Sequence, residues 1–389
     1  MPIINRMAEL HDDITSWRRD FHANPELMYD VQETAQSVAQ KLAAFGCDEV
    51  VEGIGRTGVV GVIRGKRSGA GGVIGLRADM DALPIEETTG KPHASRNPGK
   101  MHACGHDGHT AMLLGAARYL CETRNFSGTA IVIFQPAEEG GAGGKAMVDD
   151  GLMDRFAIQE VYGLHNMPGL PVGEFAIRAG GIMASTDEFD ITITGKGSHA
   201  AMPHLAIDPI VIAAQCVMAL QSIVSRGADP IDSLVVSVTQ LKSGFTHNVI
   251  PGSAYLNGTV RSLKPEMRDF AEKRIREIVG GIAAANGATI EIQYERSYPV
   301  TYNHAEQTRK AAAVAESVAG KGRVDDQCQP MLGGEDFSYM LEARPGAFIF
   351  MGNGDTASLH NPDYDFNDDA IPVGASYWAR LVETLLPGR

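Results

Sequence analysis

A nine-residue stretch, Met101–His109, constrains this chain more than any other feature, because it carries one cysteine, three histidines and one aspartate. The apolar run Thr110–Leu120 follows and predicts a buried helix. Cys104 and His106 are two residues apart, and in an extended segment this spacing places both side chains on one face, where they can bind one metal ion. The stretch therefore predicts a metal site at the mouth of a core helix. The alternative is a helix start that happens to be polar.

Composition and charge limit the classes of protein to which the chain can belong. Its 389 residues suggest two or three domains, and 44% hydrophobic with 21% charged residues is usual for a folded soluble protein. A formal net charge of -14 argues against nucleic acid or an anionic membrane as a partner. No transmembrane helix is expected, and residues 1–20 lack the apolar core of a secretory signal.

The number and spacing of the cysteines indicate a reducing compartment and no framework of disulfide bonds. There are five, an odd number without paired spacing, which does not predict a set of disulfides. A reducing cytoplasm fits this use of cysteine best. Four of them are expected to be small apolar fillers, whereas Cys104 differs because of its neighbours.

Helices and strands alternate through most of the chain and predict an α/β fold. The predicted helices are Ile3–Phe21, Gln32–Phe45, Thr110–Leu120, Ala305–Ala319 and Ala370–Leu386. The predicted strands are Gly58–Arg64, Gly72–Arg77, Thr129–Gln135, Glu160–His165 and Ala347–Met351. In open α/β sheets, functional side chains collect at the carboxyl ends of the strands.

A different order interrupts this pattern in the middle of the chain. Strands and helices follow one another as β-α-β-β-α-β, the split unit of a ferredoxin-like sandwich. The predicted elements are Asp187–Thr194, Ala206–Val224, Ser233–Leu241, Ala254–Ser262, Pro265–Asn286 and Ala288–Tyr294. This segment has the size of a small inserted domain.

Several potential metal ligands follow the predicted strands, so we expect them to meet in one crevice. They are Cys104, His106, Glu139, His165 and His360, with Glu138 beside them. Five ligands are too many for one catalytic zinc, which keeps an open position, and suit two metals about 3.5–4 Å apart that share a ligand and a water. Zinc, manganese, cobalt or nickel fit this ligand set, and Glu138 remains available as a general base.

Each of these side chains also has a structural alternative. Adjacent glutamates are common on surfaces, and a single histidine after a strand is usually structural. Asp79 and Asp81, in Arg77–Asp81, could cap the following turn, and for Asp81 we favour that interpretation.

The chain resembles the aminoacylase and carboxypeptidase G-like metallopeptidases, and within them the hippurate hydrolase and indole-acetyl-amino-acid hydrolase branch. The resemblance covers essentially the whole length. Its carriers are Arg19–Glu26, Arg77–Pro84, His102–His109, Gln135–Glu139, His165–Pro168, Gly197–His204, Gly333–Phe337 and His360–Pro362.

The resemblance implies roles for the candidate residues. Cys104, His106, Glu139, His165 and His360 become the ligands of two divalent metals, and Glu138 becomes the base. The wider family has His-x-Asp where this chain has Arg77-Ala78-Asp79. Arg77 cannot ligate a metal, Asp79 is then expected behind the ligands, and the identity of the bridging ligand stays open.

The resemblance also implies a domain organisation. Residues 1–183 and 296–389 form a discontinuous di-metal catalytic domain with a central mixed sheet flanked by helices, and residues 184–295 form an inserted ferredoxin-like α+β lid and dimerisation domain. A homodimer or higher homo-oligomer is expected through this lid.

In the family, the histidine that corresponds to His199 crosses to the partner's site and polarises the scissile carbonyl. Asn248 and Arg261 resemble contacts to the substrate carboxylate, for which an arginine fork is suited. A loop histidine bonded to backbone, and strand-end structural residues, are the alternatives for these three.

The predicted function is hydrolysis of small N-acyl-L-amino acids to a carboxylic acid and a free amino acid. Glu138 deprotonates the attacking water and passes the proton to the leaving amine, while benzoyl, acetyl, indole-acetyl and longer acyl groups remain open. The alternatives are a di-metal aminopeptidase or carboxypeptidase acting on dipeptides, an amidase with Cys104 as nucleophile, and a non-catalytic binding module.

Overall fold

The computed structural model describes residues 3–388. Residues 1, 2 and 389, which the predicted catalytic domain includes, lie outside the described residues. The chain divides into two compact units. The first unit is the described part of Met1–Ile182, Tyr302–Gln329 and Asp336–Arg389, and the second unit is Met183–Thr301 with Pro330–Glu335. The catalytic and lid roles of these units stay predictions.

The elements are numbered in chain order. Up to residue 183 they are α1 (Asn5–Glu9), α2 (His11–Ala23), α3 (Gln32–Phe45), β1 (Glu49–Ile54), β2 (Gly58–Arg64), β3 (Val73–Asp79), α4 (His106–Thr123), β4 (Thr129–Gln135), α5 (Gly143–Asp149), α6 (Leu152–Arg155), β5 (Glu160–Pro168), β6 (Phe175–Ala176) and β7 (Gly180–Met183). Then follow β8 (Ser185–Thr194), β9 (Ser198–His199), α7 (Pro209–Ser222), β10 (Leu234–Ser243), β11 (Val249–Ile250), β12 (Ser253–Ser262), α8 (Pro265–Asn286) and β13 (Thr289–Arg296). The last are β14 (Thr301–Asn303), α9 (Ala305–Ala319), β15 (Val324–Asp325), α10 (Ser338–Ala343), β16 (Gly346–Gly354) and α11 (Ile371–Leu385).

A mixed sheet forms the centre of the first unit. Among the described residues it has eight strands in the order β1-β2-β4-β3-β5-β16-β6-β15. The neighbours β4, β3, β5 and β16 run parallel to one another, whereas β1 and β2 are antiparallel additions at one side. Because four consecutive strands are parallel, their carboxyl ends lie along one edge of the sheet.

Helices α2, α3, α4, α9 and α11 pack with one face of this sheet around a common hydrophobic core. Helix α4 is the most deeply placed, since Met112, Leu113 and Leu114 are fully buried. Truncating such a leucine to alanine costs about 2–5 kcal/mol, so α4 is held firmly and can position what stands at its start. The predicted sheet with flanking helices is therefore confirmed.

The second unit contains an antiparallel sheet in the order β10-β12-β8-β13, four strands within the described part of the chain. Numbered along the chain, the strands take the positions 2-3-1-4, and α7 and α8 pack with each other and with the sheet. This is the ferredoxin-like arrangement that the sequence predicts.

One expectation about a helix needs correction, and one helical stretch meets a simple test for a membrane span. The predicted helix Ile3–Phe21 is interrupted at Leu10, which separates α1 from α2. One described helical stretch, Pro209–Gly227, is long and apolar enough to cross a membrane by length and composition, although no such helix was expected. One such helix is weak evidence for a membrane span. Ile212 and Leu220 pack in the core of the second unit, while Val211 and Met218 are exposed.

Candidate metal centre

The predicted ligands come from four segments of the chain at one edge of the first unit's sheet. Cys104 precedes α4 and His106 is the first residue of this helix. Glu139 follows β4, His165 lies in β5, and His360 lies in the loop after β16. The backbone N–H of His360 donates to the carbonyl of Ala103 at 2.8 Å, which fastens that loop to the segment before α4.

The spacing of Cys104 and His106 was interpreted as that of an extended segment, and the structure differs from this interpretation. Between them Gly105 is left-handed, with φ of 92°, so that the chain turns directly into α4. A Cβ at residue 105 would lie 2.4 Å from Oδ1 of Asn166 and 2.6 Å from the hydroxyl of Tyr364. Glycine is therefore required there on both backbone and steric grounds.

All five predicted ligands come together in two groups of three that share one member. The ligand atoms of Cys104, His106 and His165 lie within 4.8 Å of one another, and so do those of Cys104, Glu139 and His360. Sγ of Cys104 is 3.4 Å from Nε2 of His165, and Oε1 of Glu139 is 3.4 Å from Nε2 of His360. The thiol is the atom common to both groups.

Hydrogen bonds fix which ring nitrogen two of these histidines present to the centre. Nδ1 of His106 lies 2.8 Å from the carbonyl of Asp81, and Nδ1 of His165 lies 2.7 Å from the carbonyl of Asn166. A carbonyl only accepts, so each Nδ1 carries a hydrogen, and in the neutral ring each Nε2 has the lone pair that a metal can bind. This is how metal-binding histidines are usually oriented.

Two buried polar atoms at the centre lack a hydrogen-bond partner among the described residues. They are Nε2 of His106 and Oε1 of Glu139, which are 3.9 Å apart. An unsatisfied buried polar atom costs roughly 1–3 kcal/mol, so such a pair needs an explanation. A cation bound to each atom would satisfy it, and the residues therefore fit metal ions.

The protonation of the side chains also indicates missing positive charge. Burial, together with the charges of Glu139 and Glu138, raises the pKa of the Cys104 thiol far above its usual value. Burial would lower the pKa of His106, but Asp79, Asp81 and Glu139 raise it to about 10. The protein alone thus supplies an excess of negative charge at this centre. A divalent cation would compensate this charge and would favour the thiolate form of Cys104.

Asp79 and Asp81 orient other residues of the centre. Oδ2 of Asp79 accepts from Nη1 of Arg77 at 2.8 Å, and its Oδ1 lies 2.6 Å from Nδ1 of His109. For Asp81 we favoured a cap of the following turn, and this interpretation is wrong. The two carboxylate oxygens of Asp81 accept the backbone N–H groups of Glu138 and Glu139 at 3.0 and 3.1 Å. Asp81, which follows β3, therefore fixes the backbone of both glutamates, which follow β4.

A further buried network was not predicted from the sequence. Nε2 of His109 lies 2.7 Å from Oδ1 of Asn166, whose Nδ2 donates to the hydroxyl of Tyr364 at 2.6 Å. Asn166 and Tyr364 are 198 residues apart, so no local spacing could have indicated the contact. The network supports the backbone carbonyl that holds His165.

Glu138 lies beside the candidate ligands and is buried. One carboxylate oxygen of Glu138 lies within 4.8 Å of ligand atoms of both His106 and Glu139. The backbone N–H of Asp336 donates to its Oε1 at 3.4 Å. This placement suits a proton carrier next to the metal centre, the role that the sequence predicts.

The other predicted site residues belong to the second unit. His199 is exposed in β9, which pairs with β11, and Asn248 directly precedes β11. Nδ1 of His199 accepts the N–H of Ala201 at 3.1 Å, so a neutral ring carries its hydrogen on Nε2. Arg261 lies instead in β12, where its Nη1 donates to the hydroxyl of Thr259 and to the carbonyl of Val260. His199 and Asn248 are thus neighbours, and Arg261 is on a separate sheet.

Comparison with known proteins places the chain in a family. Residues 75–384 match peptidase family M20/M25/M40, and the chain belongs to this family. It is 43% identical over 381 residues to the hippurate hydrolase of Campylobacter jejuni subsp. jejuni, covering 98% of each chain. It is 38% identical to the N-acetylcysteine deacetylase of Bacillus subtilis, covering 97% of each.

The fold agrees with a solved structure of the same family. The YXEP protein of Bacillus subtilis, described as a dinuclear metal binding peptidase, superposes with a TM-score of 0.86. It is 35% identical in sequence, and the match covers 98% of this chain and all of the other. This protein is thus a hydrolase of amide bonds with a metal-binding fold.

Proposed function

We propose that the protein is a metal-dependent amidohydrolase that cleaves small N-acyl-L-amino acids into a carboxylic acid and an amino acid. One observation carries the proposal: five ligand side chains form two groups of three around one shared thiol, with a buried glutamate beside them. The relatives named above act on hippurate and on N-acetylcysteine, which are both N-acylated amino acids.

The same observation supports an assignment of the metal ligands. Cys104, His106 and His165 would hold one divalent ion, and Cys104, Glu139 and His360 would hold the other, with Cys104 common to both sets. One thiolate, three imidazoles and one carboxylate suit zinc, manganese, cobalt or nickel.

The chain's own residues then carry the proton transfers and orient the substrate. When bound, the metal ions polarise the scissile carbonyl and make a water more acidic. Glu138 takes the proton from the attacking water and delivers it to the amine that leaves. The Nε2–H of His199, from the partner subunit, donates to the carbonyl oxygen as negative charge develops there. Asn248 and Arg261 bind the substrate carboxylate.

Two neighbouring activities remain as alternatives with separate signatures. A dipeptidase of the aminopeptidase or carboxypeptidase type would cleave free dipeptides faster than their N-acylated counterparts. An amidase with Cys104 as nucleophile would survive chelation, but the raised pKa of the buried thiol disfavours a reactive thiolate without a metal.

Replacement of Glu138 tests the assignment of the base. Glu138→Gln keeps the shape of the side chain but cannot accept the proton, so kcat should fall by about 100-fold or more while both metals remain bound. Turnover of hippurate and metal content per chain are measured together. Glu52→Gln, an exposed residue of β1, is the matched control and should behave as wild type. Full turnover by Glu138→Gln would refute the role of this residue.

We further propose a cytoplasmic homodimer formed through the second unit. Strand β10 is at one edge of its sheet, and its residues Gln240–Lys242 are exposed. The neighbouring helix α7 exposes Val211 and Met218. An open edge beside exposed apolar side chains supports pairing with a second copy about a twofold axis. The five free cysteines support a reducing compartment.

A further inference from the structure

Two cysteines outside the metal centre lie in contact with each other. Sγ of Cys47 is 3.6 Å from Sγ of Cys121, although the two residues are 74 positions apart in the chain. Both are free thiols in the structure. Cys121 stands in the last turn of α4, fifteen residues after His106, which corresponds to about 22 Å along the helix. The pair is therefore remote from the proposed ligands.

The backbone holds Cys47 in this position. Gly46 ends α3 in the left-handed conformation, and the N–H of Cys47 donates to the carbonyl of Leu42 at 3.1 Å. Behind the thiol, a Cβ at Gly61 would lie 3.5 Å from Sγ, so β2 forms the wall of the site. Cys47 is partly exposed and Cys121 is buried at its side. Solvent therefore reaches the pair from the side of Cys47.

A fixed positive charge lies next to the two sulfurs. The guanidinium of Arg124 donates to the carbonyl of Gly46 at 2.7 Å and to the carboxylate of Asp48 at 2.6 Å. The hydrogen bond from Cys47 lowers the pKa of Cys121, and the charge of Arg124 lowers it further against burial and Asp48. The same hydrogen bond raises the pKa of Cys47. These two shifts favour ionisation of Cys121 over that of Cys47.

We propose that Cys47 and Cys121 form a reversible disulfide when a hydroperoxide is present. The thiolate of Cys121 attacks one peroxide oxygen and becomes a sulfenic acid, with release of hydroxide or alkoxide. The thiol of Cys47 then attacks the sulfur of Cys121 and forms the S–S bond. Water leaves with the proton of Cys47, so two thiols are oxidised by two electrons and one peroxide is reduced.

The bond would join the junction between α3 and β1 to the far end of α4. It would close a loop of 74 residues and would thereby restrict the unfolded chain without touching the proposed metal ligands. The expected effect is greater resistance to unfolding during oxidative conditions, with turnover unchanged.

Peptide mapping of the metal-loaded protein tests the proposal. Trypsin releases Cys47 in the peptide 42–56 and Cys121 in the peptide 119–124, because residues 41, 56, 118 and 124 are lysine or arginine. After treatment with hydrogen peroxide, we expect these two peptides to appear as one linked species. Its mass should be two hydrogens below the sum of the two peptide masses, and dithiothreitol should separate it into the two peptides. The thermal midpoint should rise by roughly 5 °C and return after reduction.

Serine variants supply the controls. Cys47→Ser and Cys121→Ser should each abolish the linked species and the shift of the thermal midpoint. Cys328→Ser should keep both, because Cys328 is a free thiol outside the Cys47–Cys121 pair. The proposal is overturned if the two wild-type peptides stay unlinked under peroxide, or if either sulfur proceeds to a sulfinic acid instead.

Discussion

The thiol of Cys104 takes part in both groups of ligands, so a change at this single atom affects both proposed ions. Its side chain is almost completely buried, and nearby carboxylates keep it protonated unless a cation is present. In the proposed assignment each histidine binds one ion, and Nδ1 of His106 and Nδ1 of His165 each lie against a backbone carbonyl.

Cys104→Ser should therefore lose bound metal more severely than replacement of any single histidine. A serine hydroxyl is a weaker ligand than a thiolate for zinc-like ions, so we expect the metal content to fall from two ions to one or none. Metal analysis after gel filtration measures this, with Cys216→Ser, a buried cysteine of the second unit, as control. Two tightly bound ions in Cys104→Ser would contradict a bridging thiolate.

At the level of elements, a buried cluster of charged side chains holds the start of α4 in place. Oδ2 of Asp107 lies 2.8 Å from Nδ1 of His22 and 3.3 Å from Nη1 of Arg18, and all three side chains are buried. Arg18 also pairs with Asp365 and Asp368. Residue 107 follows the proposed ligand His106 directly, so this cluster ties α2 to the metal-binding end of α4.

The cluster makes stability depend on pH in a defined direction. Burial would lower the pKa of His22, but Asp107 and Glu87 raise it to about 9, above the value of about 6.5 in the unfolded chain. A raised folded-state pKa contributes stability that is complete below pH 6.5 and is lost as the pH rises through 9. The contribution is about 3 kcal/mol.

His22→Gln isolates this contribution. The difference in unfolding free energy between wild type and His22→Gln should shrink by about 3 kcal/mol from pH 6 to pH 9.5. Urea denaturation at several pH values measures it, and His247→Gln, an exposed residue, should follow the wild-type profile. A difference that is constant across this range would show that His22 does not carry the charge.

The sequence predicted helices and strands best where a periodic apolar pattern is bounded by residues such as proline and glycine that mark the ends of the element. Helices α3, α8 and α9 have the predicted limits, since Pro265 begins α8 and Gly46, Gly287 and Gly320 follow the three helices. Strand β1 was not predicted, because Glu49, Glu52 and Gly53 at the sheet edge give no alternation. The break at Leu10 has no proline or glycine to mark it. Contacts such as Asp81 with the glutamate amides join distant segments and leave no local pattern.

At the scale of the whole molecule, the proposed dimer face can be tested by charge. Val211→Glu combined with Met218→Glu places two carboxylates on the exposed face of α7, which should convert a dimer into a monomer. Light scattering after size exclusion gives the mass, and Thr289→Glu on the opposite edge strand β13 is the control. A wild-type protein that is monomeric at all concentrations would exclude the dimer.

The central claim is that the five side chains hold two cations around the shared sulfur of Cys104. Anomalous diffraction from a crystal of the metal-loaded protein tests this most directly, because it locates each ion independently of activity. We predict two peaks about 3.5–4 Å apart, with Sγ of Cys104 bound to both, His106 and His165 on one ion, and Glu139 and His360 on the other. A single peak, or two peaks of which only one contacts Cys104, would contradict the account.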